Sequence, residues 1–177
     1  MFFNGRYHLG YLQKIKNGPN EMDFSSWQHI SSRDLLHWTY HTAYLSEPLE
    51  GKKGDYFNSG DIMEGVEIPT IITNMPRRGI CIYQCHDEVL SHWIPLAENP
   101  VIPIDTDQFP ECVIFDPSGW KEGDTYSDAT DGIVIVITTK VDTDGDHHCV
   151  LIRYNQNANQ PDVTLMGNMG IIGLRKV

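Results

Sequence analysis

No stretch of this chain repeats apolar residues at the i, i+3, i+4, i+7 spacing of a helix face, because Gly, Pro or Asn interrupts most segments within about a dozen residues. Period-2 alternation takes its place, so the expectation is an all-β fold. Arg6 to Leu12 alternates as a half-buried strand after the Asn4-Gly5 turn, Trp27 to Ser31 forms a second, and Trp38 to His41 a third. Further strands are expected at 61–63, 70–73, 80–85 and 112–116. The clearest hairpin pairs Ile133–Thr138 with Cys149–Tyr154 across a Gly-bearing turn at 142–146. At 177 residues the chain has material for one domain with a core.

Charge and cysteine usage exclude several classes of partner. Lys and Arg number 13 against 24 Asp and Glu, a net charge of −11, and no segment gathers enough basic residues for a phosphate-binding face. Neither nucleic acid nor membrane is expected as a partner. The longest aliphatic run, Ile133–Ile137, is far short of the roughly 20 residues that span a bilayer, and the first residues carry no signal-peptide pattern, which leaves the compartment open. Cys81, Cys85, Cys112 and Cys149 contain no Cys-x-x-Cys pair, and Cys81 and Cys85 read as buried thiols on one face of a strand. No metal or cofactor is expected: Asp142–Asp146 lacks the spacing of a calcium loop, and adjacent His147 and His148 would point apart on a strand. No Gly-x-Ser-x-Gly, Gly-x-Gly-x-x-Gly or P-loop occurs.

One internal repeat organises the chain. Asp34-Leu35-Leu36-His37-Trp38 is echoed by Asp87 to Trp93, each an Asp, a short aliphatic step and a His-Trp pair after a strand, with the tryptophans about 55 positions apart. That is near the length of a four-stranded propeller blade. On this reading the Asp starts a turn between outer strands and the Trp packs between neighbouring blades.

Five landmarks in order then resemble the N-terminal catalytic domain of glycoside hydrolase family 32, the invertases, fructanases and related fructosyltransferases. Asn4-Gly5-Arg6-Tyr7-His8-Leu9-Gly10-Tyr11 looks like the strand after the family's Trp-Met-Asn-Asp-Pro-Asn-Gly motif, and Trp27 to Trp38 is similar to its Trp-Gly-His segment. Phe57-Asn58-Ser59-Gly60 resembles the Phe-Ser-Gly motif, Trp93 to Pro103 the Asn-Pro-Val-Ile segment, and Phe115-Asp116-Pro117 lies where the family has Arg-Asp-Pro. The resemblance covers about residues 4–126 and implies a five-bladed β-propeller, of which this chain would supply about three blades. Residues 127–177 form a diverged hairpin and tail, in the same domain or as its altered end.

By the same resemblance Asp116 grips two fructose hydroxyls and stabilises the transition state, with Trp27, Ser59 and Asn58 contacting the sugar. Phe115 replaces the family's Arg. The nucleophile motif would sit just before Met1 and the general acid's Glu-Cys motif beyond Asp124, so neither is expected within this chain. Glu111-Cys112 precedes Asp116, and five residues along one strand would place Glu111 on the opposite face unless a bulge intervenes. Gln13 stands one place from the position of a family sugar contact, which turns it to the other face. Three readings follow: a glycosidase acting on β-fructofuranosidic bonds of sucrose or fructans; a noncatalytic carbohydrate-binding or degenerate relative; and a five-bladed glycosidase for another furanoside. Open blade edges would favour an oligomer.

Overall fold

The structure is a computed structural model that describes residues 1–15, 24–45, 57–63, 67–76, 78–97, 99–103, 113–122, 132–140, 147–155 and 162–171, the side chains of 15, 24, 113–115 and those from 121 onward excepted. All of its regular elements are strands, arranged in three antiparallel sheets in which chain order and spatial order coincide. The first sheet runs β1 (Phe2–Phe3), β2 (Arg6–Ile15), β3 (Phe24–Ser32) and β4 (Trp38–Tyr40). The second runs β5 (Gly60–Ile62), β6 (Thr70–Met75), β7 (Gly79–Cys85) and β8 (Trp93–Pro95), with β9 (Ile102–Pro103) also on β7. The third runs β10 (Val113–Glu122), β11 (Gly132–Lys140), β12 (His147–Asn155) and β13 (Asp162–Ile171). Each is a propeller-blade meander, and the third takes strands from both sides of the boundary at 126.

Local chemistry accounts for the turns. Asn4 and Gly5 both take positive φ, 46° and 71°, as the two-residue hairpin between β1 and β2 requires. Asp34 and Asp87 each hold the next turn with carboxylate oxygens. Asp34 Oδ1 accepts from the Leu36 and His37 amides at 2.9 and 2.8 Å, and Asp87 Oδ2 accepts from His92 N at 2.8 Å. Three residues before each tryptophan a leucine enters the left-handed region, Leu35 at φ 62° and Leu90 at φ 57°. The repeat seen in the sequence is therefore a repeat of backbone conformation.

The second sheet is the middle layer. Every residue of β6 is buried, and all but one of β7. Register separates their two faces: Ile71 opposes Tyr83 and Thr73 opposes Cys81, while Ile72 opposes Ile82 and Asn74 opposes Ile80. The first face joins Trp27, Tyr44, Leu45, Leu90 and Trp93 in the core shared with the first sheet. The third sheet's β10 lies against β5, β6 and β7. Burying an isoleucine such as Ile72 or Ile82 completely contributes roughly 2–3 kcal/mol. Cys81 and Cys85 are buried and form no disulfide.

The outer strand of this sheet is split. β8 pairs the end of β7 and β9 its start, and between them the Asn99 side chain substitutes for strand backbone: Ile82 N donates to Oδ1 at 2.8 Å and Nδ2 donates to Ile82 O at 2.7 Å.

Trp93 meets Tyr44, next to the Leu45 bridge to Trp27 of the first sheet, edge-on at 5.1 Å, the inter-blade packing anticipated for it. Trp38 does otherwise. It is 36% exposed on the outer face of the first sheet, where no other described sheet lies against it. The expected hairpin strands 133–138 and 149–154 pair, with Ile133 opposite Tyr154 and Thr138 opposite Cys149. β13 falls on the segment expected to be a polar tail. The 142–146 turn, Glu111, Cys112 and the 123–131 stretch lie outside the described residues.

Candidate carbohydrate site at the inner strands

Residues of β2, β3, β5 and β10 line one cavity, and the sequence landmarks meet beside it. Asp116 N donates to Ser59 Oγ at 3.1 Å across 57 positions of sequence. Two residues further along both strands a second rung forms, Ser118 Oγ donating to Asp61 Oδ2 at 2.7 Å. These rungs align β5 and β10 side by side in the same direction.

Asp116 itself is exposed and has φ 51°, in the left-handed region that Asp tolerates better than most residues. It sits within a register shift between Phe115 and Ser118 against β11. A bulge re-aims side chains that simple alternation would place on one face. Asp116 is thus freed from β-strand parity, while Pro117 is buried behind it.

Asn58 and Ser59 precede β5 as a short extension of the second sheet. Asn58 N donates to Asn74 O and Asn74 N donates to Ser59 O, both at 2.9 Å. Asn58 enters the site through its carbonyl, which accepts the Trp27 indole N–H at 2.8 Å. Trp27 is only 5% exposed, its ring wedged between two glycines. A Cβ at Gly10 would come within 3.1 Å of the indole; one at Gly60 would lie 2.1 Å from Ile72 O and 2.9 Å from the indole. Gly60 is required by close approach of backbone to backbone, which is the physical content of the Ser-Gly landmark.

All four residues singled out in the sequence are therefore connected: Trp27 to Asn58 by a hydrogen bond, Asn58 to Ser59 by the chain, and Ser59 to Asp116 by a hydrogen bond. A cavity of about 420 Å³ opens beside them, lined by Gly10, Trp27, Gly60, Asp61, Gly119 and Trp120 among others. Of the four, Trp27 alone lines it. Asp61 and Trp120 were not anticipated. Each follows a recognised landmark by a few residues, and only the approach of β10 to β5 brings them to one cavity.

His8, also at the cavity wall, begins a chain of imidazoles in which His8 and His29 are buried and His41 is exposed. Its Nε2 lies 3.2 Å from Phe3 O, which can only accept, so Nε2 carries the proton and Nδ1 accepts from His29 Nε2 at 2.9 Å. His29 stacks on His41 at 4.3 Å and on Tyr44 at 4.0 Å. Burial, then the neighbouring His41 and His8, pushes the His29 pKa down to about 3, and burial lowers His8 and His41 in the same direction. With His29 stacked on His41 and Tyr44 and hydrogen-bonded to His8, these imidazoles form a neutral packing column.

The profile of the glycosyl hydrolases family 32 N-terminal domain matches residues 1–147. Nine chains among solved structures match. One is the Bombyx mori GH32 beta-fructofuranosidase BmSUC1, at 16% sequence identity and a TM-score of 0.61, covering 94% of this chain and 34% of that one. The present chain thus spans about a third of that structure's length, and at this identity the likeness is one of fold. No curated protein matches.

Proposed function

The chain belongs to glycosyl hydrolase family 32, and on that premise we propose that it takes part in cleaving β-fructofuranosidic bonds of sucrose or fructans, with Asp116 holding the fructose ring. An ionised carboxylate accepts two hydroxyl hydrogen bonds, each charge-assisted and strong, and its two oxygens match neighbouring hydroxyls. Contacts that tighten as the ring flattens toward an oxocarbenium-like state stabilise that state over the bound sugar. Asp116 does not attack carbon in this scheme. Ser59 and Asn58 fix its position and face the sugar's hydroxyls, and Trp27 supplies an apolar wall.

The single observation that supports this most is the 3.1 Å hydrogen bond from Asp116 N to Ser59 Oγ, which joins two landmarks from separate blades at one point. The left-handed backbone of Asp116 supports it further, since such conformations cluster where a side chain must be aimed. Residues 1–126 carry the sugar contacts in this reading, and 127–177 complete the third blade.

A second reading, sugar binding without turnover, is favoured by the cavity wall. Retention of configuration needs two carboxyl groups about 5–5.5 Å apart, and Asp61 is the one carboxylate that lines the cavity among the described residues. Fructose release from sucrose and inulin by the chain, compared with Asp116→Asn, tests both. Under the first reading the wild-type chain releases fructose and the variant loses about 10²-fold or more. Under the second neither releases fructose, while the variant loses affinity for the sugar. Equal activity or equal affinity in the two proteins removes Asp116 from the site.

A further inference from the structure

The first hairpin turns on Asn4-Gly5, a pair whose chemistry goes beyond shaping the turn. Both residues are exposed, and a Cβ built at Gly5 would meet nothing within 4 Å, so the space around its amide is open. Gly5 N–H has no acceptor among the described residues. The Asn4 side chain does have a partner: Nδ2 donates to Glu88 O at 3.0 Å, tying the tip of the first hairpin to the Asp87 turn of the second sheet. Beside that contact Glu67, Asp87 and Glu88 line, with Phe3, a cavity of about 190 Å³ whose described lining holds no Lys or Arg.

We propose that Asn4 is a site of spontaneous deamidation, and that the reaction releases the first hairpin from the second sheet. The Gly5 nitrogen loses its proton to solvent and bonds to Asn4 Cγ; the Cγ–Nδ2 bond breaks, and ammonia leaves with a proton taken back from solvent. Water then opens the five-membered imide. Cleavage at the side-chain carbonyl leaves aspartate, and cleavage at the main-chain carbonyl leaves isoaspartate. One water is consumed, one ammonia is released, and no oxidant takes part. Glycine at position 5 favours the attack because no side chain shields its nitrogen.

Both products lose the clamp. A carboxylate at position 4 cannot donate to Glu88 O, and it brings negative charge up to Glu67, Asp87 and Glu88. Isoaspartate also lengthens the backbone by one methylene inside a turn that two residues fill, while β1 has only the pairs Phe2–Tyr7 and Phe3–Arg6 to hold it. Met1, just before β1, and His8 of β2 line the larger cavity, so release of this hairpin reaches the candidate site.

Incubation of the whole chain in warm, mildly alkaline buffer, then trypsin and mass spectrometry, tests the reaction. Trypsin frees Met1–Arg6, in which Asn4 is the only side-chain amide and which is separate from the Asn17-Gly18 pair. The incubation lasts as long as the free Met1–Arg6 peptide takes to convert in the same buffer. The expected result is that Met1–Arg6 from the folded chain gains the mass of NH2 replaced by OH, in two products that chromatography separates. Asn4→Gln, whose longer side chain disfavours the ring, should keep its mass. Asn4→Asp reproduces one product directly. It should melt about 2–4 °C lower than the wild-type chain, recover part of that in high salt, and exchange its β1 and β2 amide hydrogens faster. Unchanged mass of Met1–Arg6 from the folded chain shows that the fold protects Asn4 and overturns the site. Melting and exchange unchanged in Asn4→Asp overturn the release of the hairpin.

Discussion

His29 is 1% exposed, and its Nδ1 has no hydrogen-bond partner, so this imidazole is neutral in the folded chain. Around it stand His8 and His41, themselves shifted down chiefly by burial, with the Arg6 cation and the Met1 amino group adding like charge near His8. Arg6 Nε donates to Ser31 Oγ at 2.8 Å, that hydroxyl lies 2.6 Å from His41 Nε2, and the Phe3 carbonyl, which opposes the shift of His8, is outweighed by burial. The folded state therefore binds fewer protons than the unfolded chain below the usual imidazole value of 6.5. Stability present above pH 6.5 is lost as pH falls, and the loss continues toward the folded value of His29, about 3. His29 alone should cost on the order of 3 kcal/mol between pH 6.5 and pH 4. Urea midpoints measured across that range should fall steadily. His29→Gln, which keeps a donor for His8 and cannot titrate, should flatten much of the slope. A midpoint independent of pH from 7 to 4 in the wild-type chain would show that the column is hydrated and free to protonate.

At the scale of the element, the two Asp-to-Trp turns share a backbone and differ in what that backbone carries. Leu35 and Leu90 are both left-handed, yet Leu35 is 52% exposed while Leu90 is fully buried. Glycine relieves the left-handed strain of about 1–2 kcal/mol but loses more chain entropy on folding. Leu35→Gly should therefore stabilise by about 0.5 kcal/mol. Leu90→Gly surrenders a core side chain as well and should destabilise by about 3 kcal/mol. Thermal melts of the pair check the opposite signs, and the same sign in both would sink the equivalence of the turns. This contrast also shows what could be read from the sequence. The Asp, the His-Trp pair and their spacing announce the turn, because a carboxylate satisfying successive amides is local chemistry. Burial of one leucine and exposure of the other depends on which sheet lies alongside, and nothing within ten residues encodes that. Asp116 follows the same logic. Its landmark was legible, but its contact with Ser59 across 57 positions and the bulge that turns it came only with the fold. Asp61 and Trp120 carried no motif and became visible as a pair only when β5 and β10 lay side by side. Trp38 differs from Trp93 because, among the described residues, no other sheet lies on the outer face of its own.

That open face governs the behaviour of the molecule as a whole. Cross-strand register puts Phe2, Tyr7 and Trp38 in one row and Leu9, Ile30 and Tyr40 in the next, all on the same side of the first sheet. Phe2 is 60% exposed and Tyr40 78%, with Tyr7, Leu9 and Trp38 each exposed by a third or more. The opposite side of that sheet is packed by Trp27 and His29 against the second sheet, so the exposed row repeats the chemistry of a blade interface with no blade on it among the described residues. A contiguous apolar patch of this kind seeks cover, and for the chain alone in solution the available cover is a second copy. The net charge of −11 opposes that association over long range and is screened by salt, while apolar burial is not weakened by it. Sedimentation velocity should therefore show a monomer that gives way to dimer as protein concentration rises, with dimer increasing from low to physiological ionic strength. Leu9→Lys combined with Tyr40→Lys places charge in the middle of the patch and should return the chain to monomer with its melting temperature little changed. A chain that stays monomeric at every concentration and salt, or dimers that persist undiminished in the double variant, would mean that this face is not the one that seeks a partner.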